Sequence, residues 1–318
     1  MLDILAATTP IFLVVAVGWA LTRAGLFRRE DMSVFSTFVV KLALPLLIFV
    51  NVAGRDFAEV FNLTYLLTYA LAAWVMMAVG RLYARARGLP DVRGVFIAWG
   101  MSGTNNGFVG FPIFLLILPS VAGLAVGMDM LVDNTAIIPV ALAMVEGAAN
   151  GSTNVWVRVR QTVVRVVTHP MIIAIVAALA LTALGVELPA ALDRAVTLLA
   201  QTSSGVALFA VGGMLVGLRV HGMITDVLVT VAGKLLVQPL AAIGLVLGLV
   251  AIGLPELSPE LRAAAILTCA LPSMSVLAPI GEEYGEGELG AAVLMLSTVL
   301  SFLTITGWMV ALRLAGWL

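Results

Sequence analysis

The chain has 318 residues, 62% hydrophobic and 11% charged, with 17 Lys and Arg against 18 Asp and Glu, a net charge of −1 and a mean hydropathy of +1.12. Soluble domains are nearer about 45–50% apolar and about 25% charged, so a water-soluble monomer of this make-up could not cover its surface with polar groups. The lone Cys269 excludes a disulfide scaffold, no basic block points to nucleic acid, and no Gly-rich loop with a lysine points to an ATP-driven pump.

Apolar runs of the length that spans a bilayer, about 20 residues, recur along the whole chain. The first covers 4–22; it opens on Met1-Leu2-Asp3 without a positive leader and is followed by Arg23, Arg28 and Arg29, so it is read as a retained span and not a cleaved signal. Span 2, at 33–52, carries Lys41 four residues before Pro45. Span 3 lies at 62–83 and is followed by Arg85, Arg87 and Arg93. Span 4, at 94–118, contains Gly103-Thr104-Asn105-Asn106-Gly107-Phe108-Val109-Gly110-Phe111-Pro112. Span 5, at 121–146, carries Asp129 and Asp133 on one helical face, then Asn134 and Thr135. The longest loop follows, around Gly147–His169, too short for a soluble domain. Spans 6 and 7 fall at 169–187 and 196–218. Span 8, at 224–252, holds Lys234 ahead of Gln238-Pro239. Span 9, at 260–281, contains Leu271-Pro272-Ser273-Met274-Ser275-Val276-Leu277-Ala278-Pro279, and span 10 covers 288–313. The expected fold is therefore an all-α polytopic membrane protein of ten transmembrane helices.

Basic loop residues set orientation. Loops after spans 1, 3, 5, 7 and 9 hold 11 of them, among them Arg81, Arg158, Arg160, Arg165 and Arg219; the other side holds Arg55, Arg194, Arg262 and Arg313. Both termini are expected on the outer side. Ten spans with a long central loop suggest five plus five: a first repeat over 1–150, a central cytoplasmic loop over 151–165 and a second repeat over 166–318. An odd number per half inverts the second copy. An offset of 167 sets Pro112 on Pro279 and Asn105 on Pro272, matching an interruption in span 4 with one in span 9. Matched interruptions are the best sequence pointer to a transporter's binding site. Proline removes a donor and glycine weakens a helix, freeing backbone groups that hydrocarbon cannot satisfy. Half-helix N-termini at such breaks would suit an anion. Asn105, Asn106, Thr104, Ser273 and Ser275 could add hydrogen bonds.

Lys41, Asp129, Asp133 and Lys234 lie well inside spans, where a charge costs roughly 2.5–3.5 kcal/mol and needs a partner, water or a role. They are candidates for charge compensation or ion coupling, with structural ion pairs as the bland alternative. Gly123/Gly127, Gly213/Gly217 and Gly244/Gly248 read as close helix packing. Trp19, Trp74, Trp156, Trp308 and Trp317 sit near span ends and suit an interfacial belt. His169 and His221 lack a second ligand at metal spacing, so no metal site is expected.

Taken in order, Leu44-Pro45-Leu46-Leu47-Ile48-Phe49, Asn106-Gly107-Phe108-Val109-Gly110-Phe111-Pro112, Lys234-Leu235-Leu236-Val237-Gln238-Pro239, Ala270-Leu271-Pro272-Ser273, Glu282-Glu283-Tyr284-Gly285 and Ser297-Thr298-Val299-Leu300-Ser301 with Thr304 resemble the auxin efflux carrier family over essentially the whole chain. That family includes plant PIN proteins and bacterial malonate and other organic-acid carriers. The resemblance implies two inverted five-helix repeats, a scaffold domain of spans 1, 2, 6 and 7, and a transport domain of spans 3–5 and 8–10. It also implies crossed, broken helices 4 and 9 at the substrate site, and elevator-type alternating access, as in bile-acid symporters and sodium/proton antiporters. PIN-like members have an Asn in the span 9 crossover where this chain has Pro272-Ser273-Met274-Ser275, which favours a small carboxylate over auxin.

The expected function is secondary transport of a small organic anion, such as malonate, malate or an auxin-like acid, across the bacterial inner membrane, and not catalysis. Asn105, Asn106, Gly107, Phe108, Pro112, Pro272, Ser273, Ser275 and Pro279 would form the substrate site, closed by the span 2 face around Ile48. Asp133, Asn134, Lys234, Asp129 and Lys41 would supply coupling or charge compensation. No cofactor is expected beyond a coupling Na+ or H+, and analogy implies a homodimer through the scaffold domain. The rivals are a sodium/proton antiporter or sodium-coupled symporter of the same architecture, and a non-transporting membrane sensor.

Overall fold

The computed structural model describes residues 2–53, 61–150, 164, 168, 170–186, 188–217 and 223–318. Nearly all of the loop expected at 151–165, together with Arg55, His169, Arg219 and His221, lies outside the described residues.

The protein is all-helical: among the described residues there is no strand. In chain order, α1 is Leu2–Arg23, α2 covers 32–52, α3 is Leu63–Ala86, α4 is Asp91–Ser102 and α5 is Asn106–Ile117. Next come α6 over 122–150, α7 at Pro170–Leu184, α8 at Ala190–Met214, α9 at Ile224–Ala251, α10 at Pro259–Ala270, α11 at Leu277–Glu283 and α12 at Gly287–Leu314. Six of these helical stretches are long and apolar enough to cross a membrane: Arg29–Val50, Leu63–Ala86, Ala122–Ala149, Ala190–Met214, Ile224–Ala251 and Gly287–Leu314. They make the chain an integral membrane protein.

Four helices share one local device. A five-residue π turn occurs at Val39–Ala43, Asn106–Gly110, Asp133–Ile137 and Gly233–Val237, each followed two residues on by a proline: Pro45, Pro112, Pro139 and Pro239. A proline lacks its N–H and its ring collides with the carbonyl four residues back. Widening the turn by one residue relieves that collision without ending the helix. Lys41, Asn106, Asp133, Asn134 and Lys234 all lie within these turns.

Two compact units are present. One comprises Met1–Asn62, Asn106–Leu131 and Arg165–Val216; within it α1 packs along α8, and α8 also meets α2 and the Asn106–Gly110 turn. Contact between α1 and α8 is backbone on backbone, because a Cβ at Gly18 would strike the Phe209 carbonyl and one at Gly212 the Val15 carbonyl. Of the paired glycines singled out in the sequence, Gly213 does sit tight against Met32 and Thr22. Gly244 and Gly248 meet nothing within 4 Å, so their spacing is no packing motif here. Phe27, Phe35 and Phe209 form an edge-to-face cluster with centroids 5.2–5.9 Å apart.

The other unit comprises Leu63–Asn105, Val132–Val164 and Gly217–Leu318. Here α3 packs on α4 and on the second half of α9, and α10 is enclosed by α3, α9 and α12. Gly100 is a pinch point, where a Cβ would lie 2.7 Å from Thr230 and 3.3 Å from both Leu277 and Val293.

Candidate functional site: two helix ends bridged across a break

In the second unit α4 stops at Ser102 and α10 stops at Ala270, and the two extended stretches that follow pair with each other. Thr104 and Ser273 form an antiparallel bridge, with Asn105 N donating to Pro272 O at 2.9 Å and Met274 N to Gly103 O at 3.2 Å. Thus the two residues aligned by the 167-residue offset, Asn105 and Pro272, are joined by a hydrogen bond.

A break inside a helix leaves carbonyls that need donors. Along α4, Ser273 Oγ serves Gly100 O at 2.7 Å and Gln238 Nε2 serves Ser102 O at 3.0 Å. Ser297 Oγ accepts from Ser273 N at 3.2 Å, which holds the second stretch to α12. Lys234 closes the arrangement. Wholly buried, its ammonium donates to Thr104 Oγ1 at 2.6 Å, to Gln238 Oε1 at 2.5 Å and to Cys269 O at 3.4 Å. Thr104 lies just past the C-terminal end of α4 and Cys269 at that of α10, where helix dipoles place partial negative charge, so a cation there is electrostatically favoured. The positive charge read from the sequence is therefore bound to helix ends. Gln238 is the second member of that clamp, one helical turn from Lys234 and equally buried.

Asp133 lies elsewhere in the same unit. It is 2% exposed and accepts from Tyr69 Oη at 2.6 Å. One turn earlier on α3, Tyr65 Oη lies 3.2 Å from Thr268 Oγ1 on α10. The two tyrosines thus connect α3 to the Asp133 turn and to the helix that ends at the break. Trp74 and Trp308, read from the sequence as interfacial, each donate to a carbonyl within a π turn: Ala136 O at 3.2 Å and Leu235 O at 2.9 Å. Leu235 is the residue whose carbonyl Pro239 leaves unserved.

Asn134 is buried on the Asp133 turn. Ser275 is half-buried, and Pro279 is exposed inside α11. In the first unit Asn106, Gly107 and Pro112 are buried and Phe108 is half-buried. A Cβ at Gly107 would lie 2.9 Å from Leu44 Cδ2 and from Met130 Cε. Ile48 and Asp129 are fully buried there, whereas Lys41 is exposed.

Asn105 is different again. Its side chain is 3% exposed and its Nδ2 has no acceptor among the described residues; the same holds for Nε1 of the wholly buried Trp99. Buried donors left this way are uncommon in native interiors. Trp99, Tyr65, Tyr69, Gln238 and Ser297 were not chosen from the sequence as site residues.

A separate ionic cluster stands in the same unit. Arg93 pairs with Asp226 at 2.9 Å, and Tyr83 Oη donates to Asp226 at 3.1 Å. Burial pushes the nearby Glu286 carboxyl above its ordinary range, Arg93 pulls it down, and Asp226 adds to the rise. The Tyr284 hydroxyl is likewise raised by burial and by Glu146 and Glu283.

A family model described as "Membrane transport protein" matches residues 3–309. The chain belongs to this family, that of the auxin efflux carriers. It is 28% identical over 321 residues to a protein of Rhizobium meliloti (strain 1021) described as "Putative malonate transporter", covering 98% of this chain and 97% of that one. It is 26% identical over 213 residues to the "Uncharacterized transporter YfdV" of Escherichia coli (strain K12), covering 64% and 66%. An "Uncharacterized transporter" of Methanothermobacter thermautotrophicus is 27% identical over 106 residues, covering 32% and 34%. Membership makes the protein a membrane transporter.

Proposed function

We propose that this member of the family is a secondary transporter of a small organic anion, with malonate and similar carboxylates as its substrate class. One observation carries the reading: a buried amide donor, Asn105 Nδ2, stands without an acceptor where two interrupted helices are bridged. A carboxylate oxygen supplies what that donor lacks, and the positive Lys234 behind the break favours an anion over a cation. In this reading Ser273, Ser275 and Pro279 join Asn105 in the substrate site, and Asn106, Gly107, Phe108, Pro112 and Ile48 are the further substrate-binding candidates that the sequence pattern names. The malonate description of the relative that matches over nearly the whole chain supports the same substrate class.

The reading extends to ten spans in two inverted repeats, an inner-membrane location with both termini outward, and elevator-type movement of the bound anion. Asp133, held by Tyr69 on a π turn, is its coupling group for a proton or sodium ion, with Asn134 beside it and Asp129 one turn away on the same helix.

Thermal unfolding with malonate, malate, lactate, indole-acetate and aromatic acids, with and without sodium, tests the reading, because a ligand that binds only the folded state raises its stability. Selective stabilisation by one acid, followed by its uptake into proteoliposomes, is the expected result. Stabilisation by sodium or low pH alone, with cation flux and no carboxylate flux, would assign the protein to the antiporter class instead. Absence of any flux under sodium, proton and voltage gradients would favour a sensor.

A further inference from the structure

We propose that Trp99 is a substrate-binding residue, its indole N–H donating to an oxygen of the transported carboxylate beside Asn105. The inference rests on the organic-anion reading and adds to it a specificity-determining residue that lies outside the motifs quoted from the sequence.

Among the described residues Trp99 is the largest fully buried side chain, and it lies on the last turn of α4, immediately before the break. A Cβ built on Gly103 would lie 3.1 Å from Trp99 Cδ1 and 3.1 Å from Met274 Sδ. Cδ1 is bonded to Nε1, so the N–H edge of the indole borders the break, opposite Met274 from the second interrupted helix. Yet Nε1 has no acceptor among the described residues. Trp74 and Trp308, both less buried, do have backbone carbonyls for their N–H groups. Trp99, wholly buried, thus stands unserved where Trp74 and Trp308 are served.

Three of the neighbouring backbone donors are already used. Asn105 N goes to Pro272 O, Met274 N to Gly103 O, and Ser273 N to Ser297 Oγ. Beside them stand two neutral side-chain donors without an acceptor among the described residues, Trp99 Nε1 and Asn105 Nδ2, each needing an oxygen. An indole nitrogen donates and cannot accept, so it cannot ligate a sodium ion. The occupant therefore presents acceptors, as a carboxylate does. Leaving a buried donor unsatisfied penalises the unliganded state and rewards the ligand that fills it. A ligand lacking the matching oxygen leaves both donors orphaned and is rejected, which is how a buried polar site discriminates between near-isosteres.

The test replaces Trp99 by its benzothienyl isostere through stop-codon suppression, where sulfur stands in for the N–H at nearly unchanged shape, with Trp99→Phe as a second variant. Purified proteins are titrated with malonate, or with whichever panel acid stabilises the wild type, and dissociation constants are read from the thermal midpoint. The isostere is expected to keep the unliganded midpoint within about 2 °C, a shift of under ~1 kcal/mol, while its dissociation constant rises about tenfold, the loss of a charge-assisted hydrogen bond. Wild-type affinity in the isostere would overturn the role of Trp99 and leave the anion reading standing. Failure of the wild type to bind any carboxylate would overturn both. Should the Phe variant fold poorly, the isostere alone decides.

Discussion

Lys41 and Lys234 occupy near-identical local settings with opposite outcomes. Each lies on a π turn shortly before a proline in an apolar helix. Lys234 is wholly buried and donates to Thr104 Oγ1, Gln238 Oε1 and Cys269 O, and Gln238 in turn serves the carbonyl of Ser102 at the end of α4. Lys41, in the other unit, is exposed, with Val39 and Ala43 of its own turn buried beside it. A lysine in a membrane helix is therefore not one kind of feature. Interrupted neighbouring helices supply the negative ends that make a buried ammonium tolerable; an uninterrupted helix has none to offer.

Lys234→Met should break this arrangement most severely. It leaves Thr104 Oγ1, Gln238 Oε1 and Cys269 O without their donor in a dry interior. Unserved buried acceptors cost about 1–3 kcal/mol each, partly offset by removing a desolvated charge, so a net loss of about 2–4 kcal/mol is expected. Carboxylate uptake should be abolished. Denaturation in detergent and uptake into proteoliposomes measure the two effects, and a variant as stable as wild type would mean that the ammonium clamps nothing.

Gln238→Met comes next. It removes the acceptor nearest the ammonium and the donor to Ser102 O but keeps the charge and its contacts with Thr104 and Cys269 O. A loss of about 1–2 kcal/mol is expected, with uptake slowed but present. If Gln238→Met matched Lys234→Met in both measurements, the relay through the amide, and not the charge, would be what holds the break.

Much of this was legible in the sequence, for physical reasons that can be named. Apolar length set the helices, and glycine with proline marked the interruptions at 103–112 and 271–279, because those residues act on the backbone directly. Lys234 was visible because charge is scarce in an apolar helix. The partners were not. Tyr65, Tyr69 and Trp99 count as apolar in any hydropathy reading, and only the fold shows which hydroxyl or indole finds an acceptor. Gln238 adjoined a proline and read as part of a motif, not as a hydrogen-bonding amide with two partners. Trp74 and Trp308 matched the position of an interfacial belt in the sequence, while in the fold they serve carbonyls within π turns. The π turns were invisible as such: one extra residue in a turn does not disturb a pattern in which nearly every position is apolar, although the proline that requires it is plain to see.

Lys41→Met is the smallest perturbation and the one that completes the comparison. An exposed lysine outside the helix-end clamp has no buried acceptors to orphan, so its loss should change stability in detergent by no more than about 0.5 kcal/mol. In a bilayer the same change removes a charge whose placement within a span costs roughly 2.5–3.5 kcal/mol when it cannot reach water. Measured in lipid nanodiscs, Lys41→Met should therefore be as stable as wild type or more so, with carboxylate uptake retained within about twofold, which is under ~0.5 kcal/mol of barrier. Loss of uptake as complete as in Lys234→Met, at unchanged stability, would break the comparison. The exposed lysine would then meet the substrate along its path, and burial alone would no longer separate a working charge from a tolerated one.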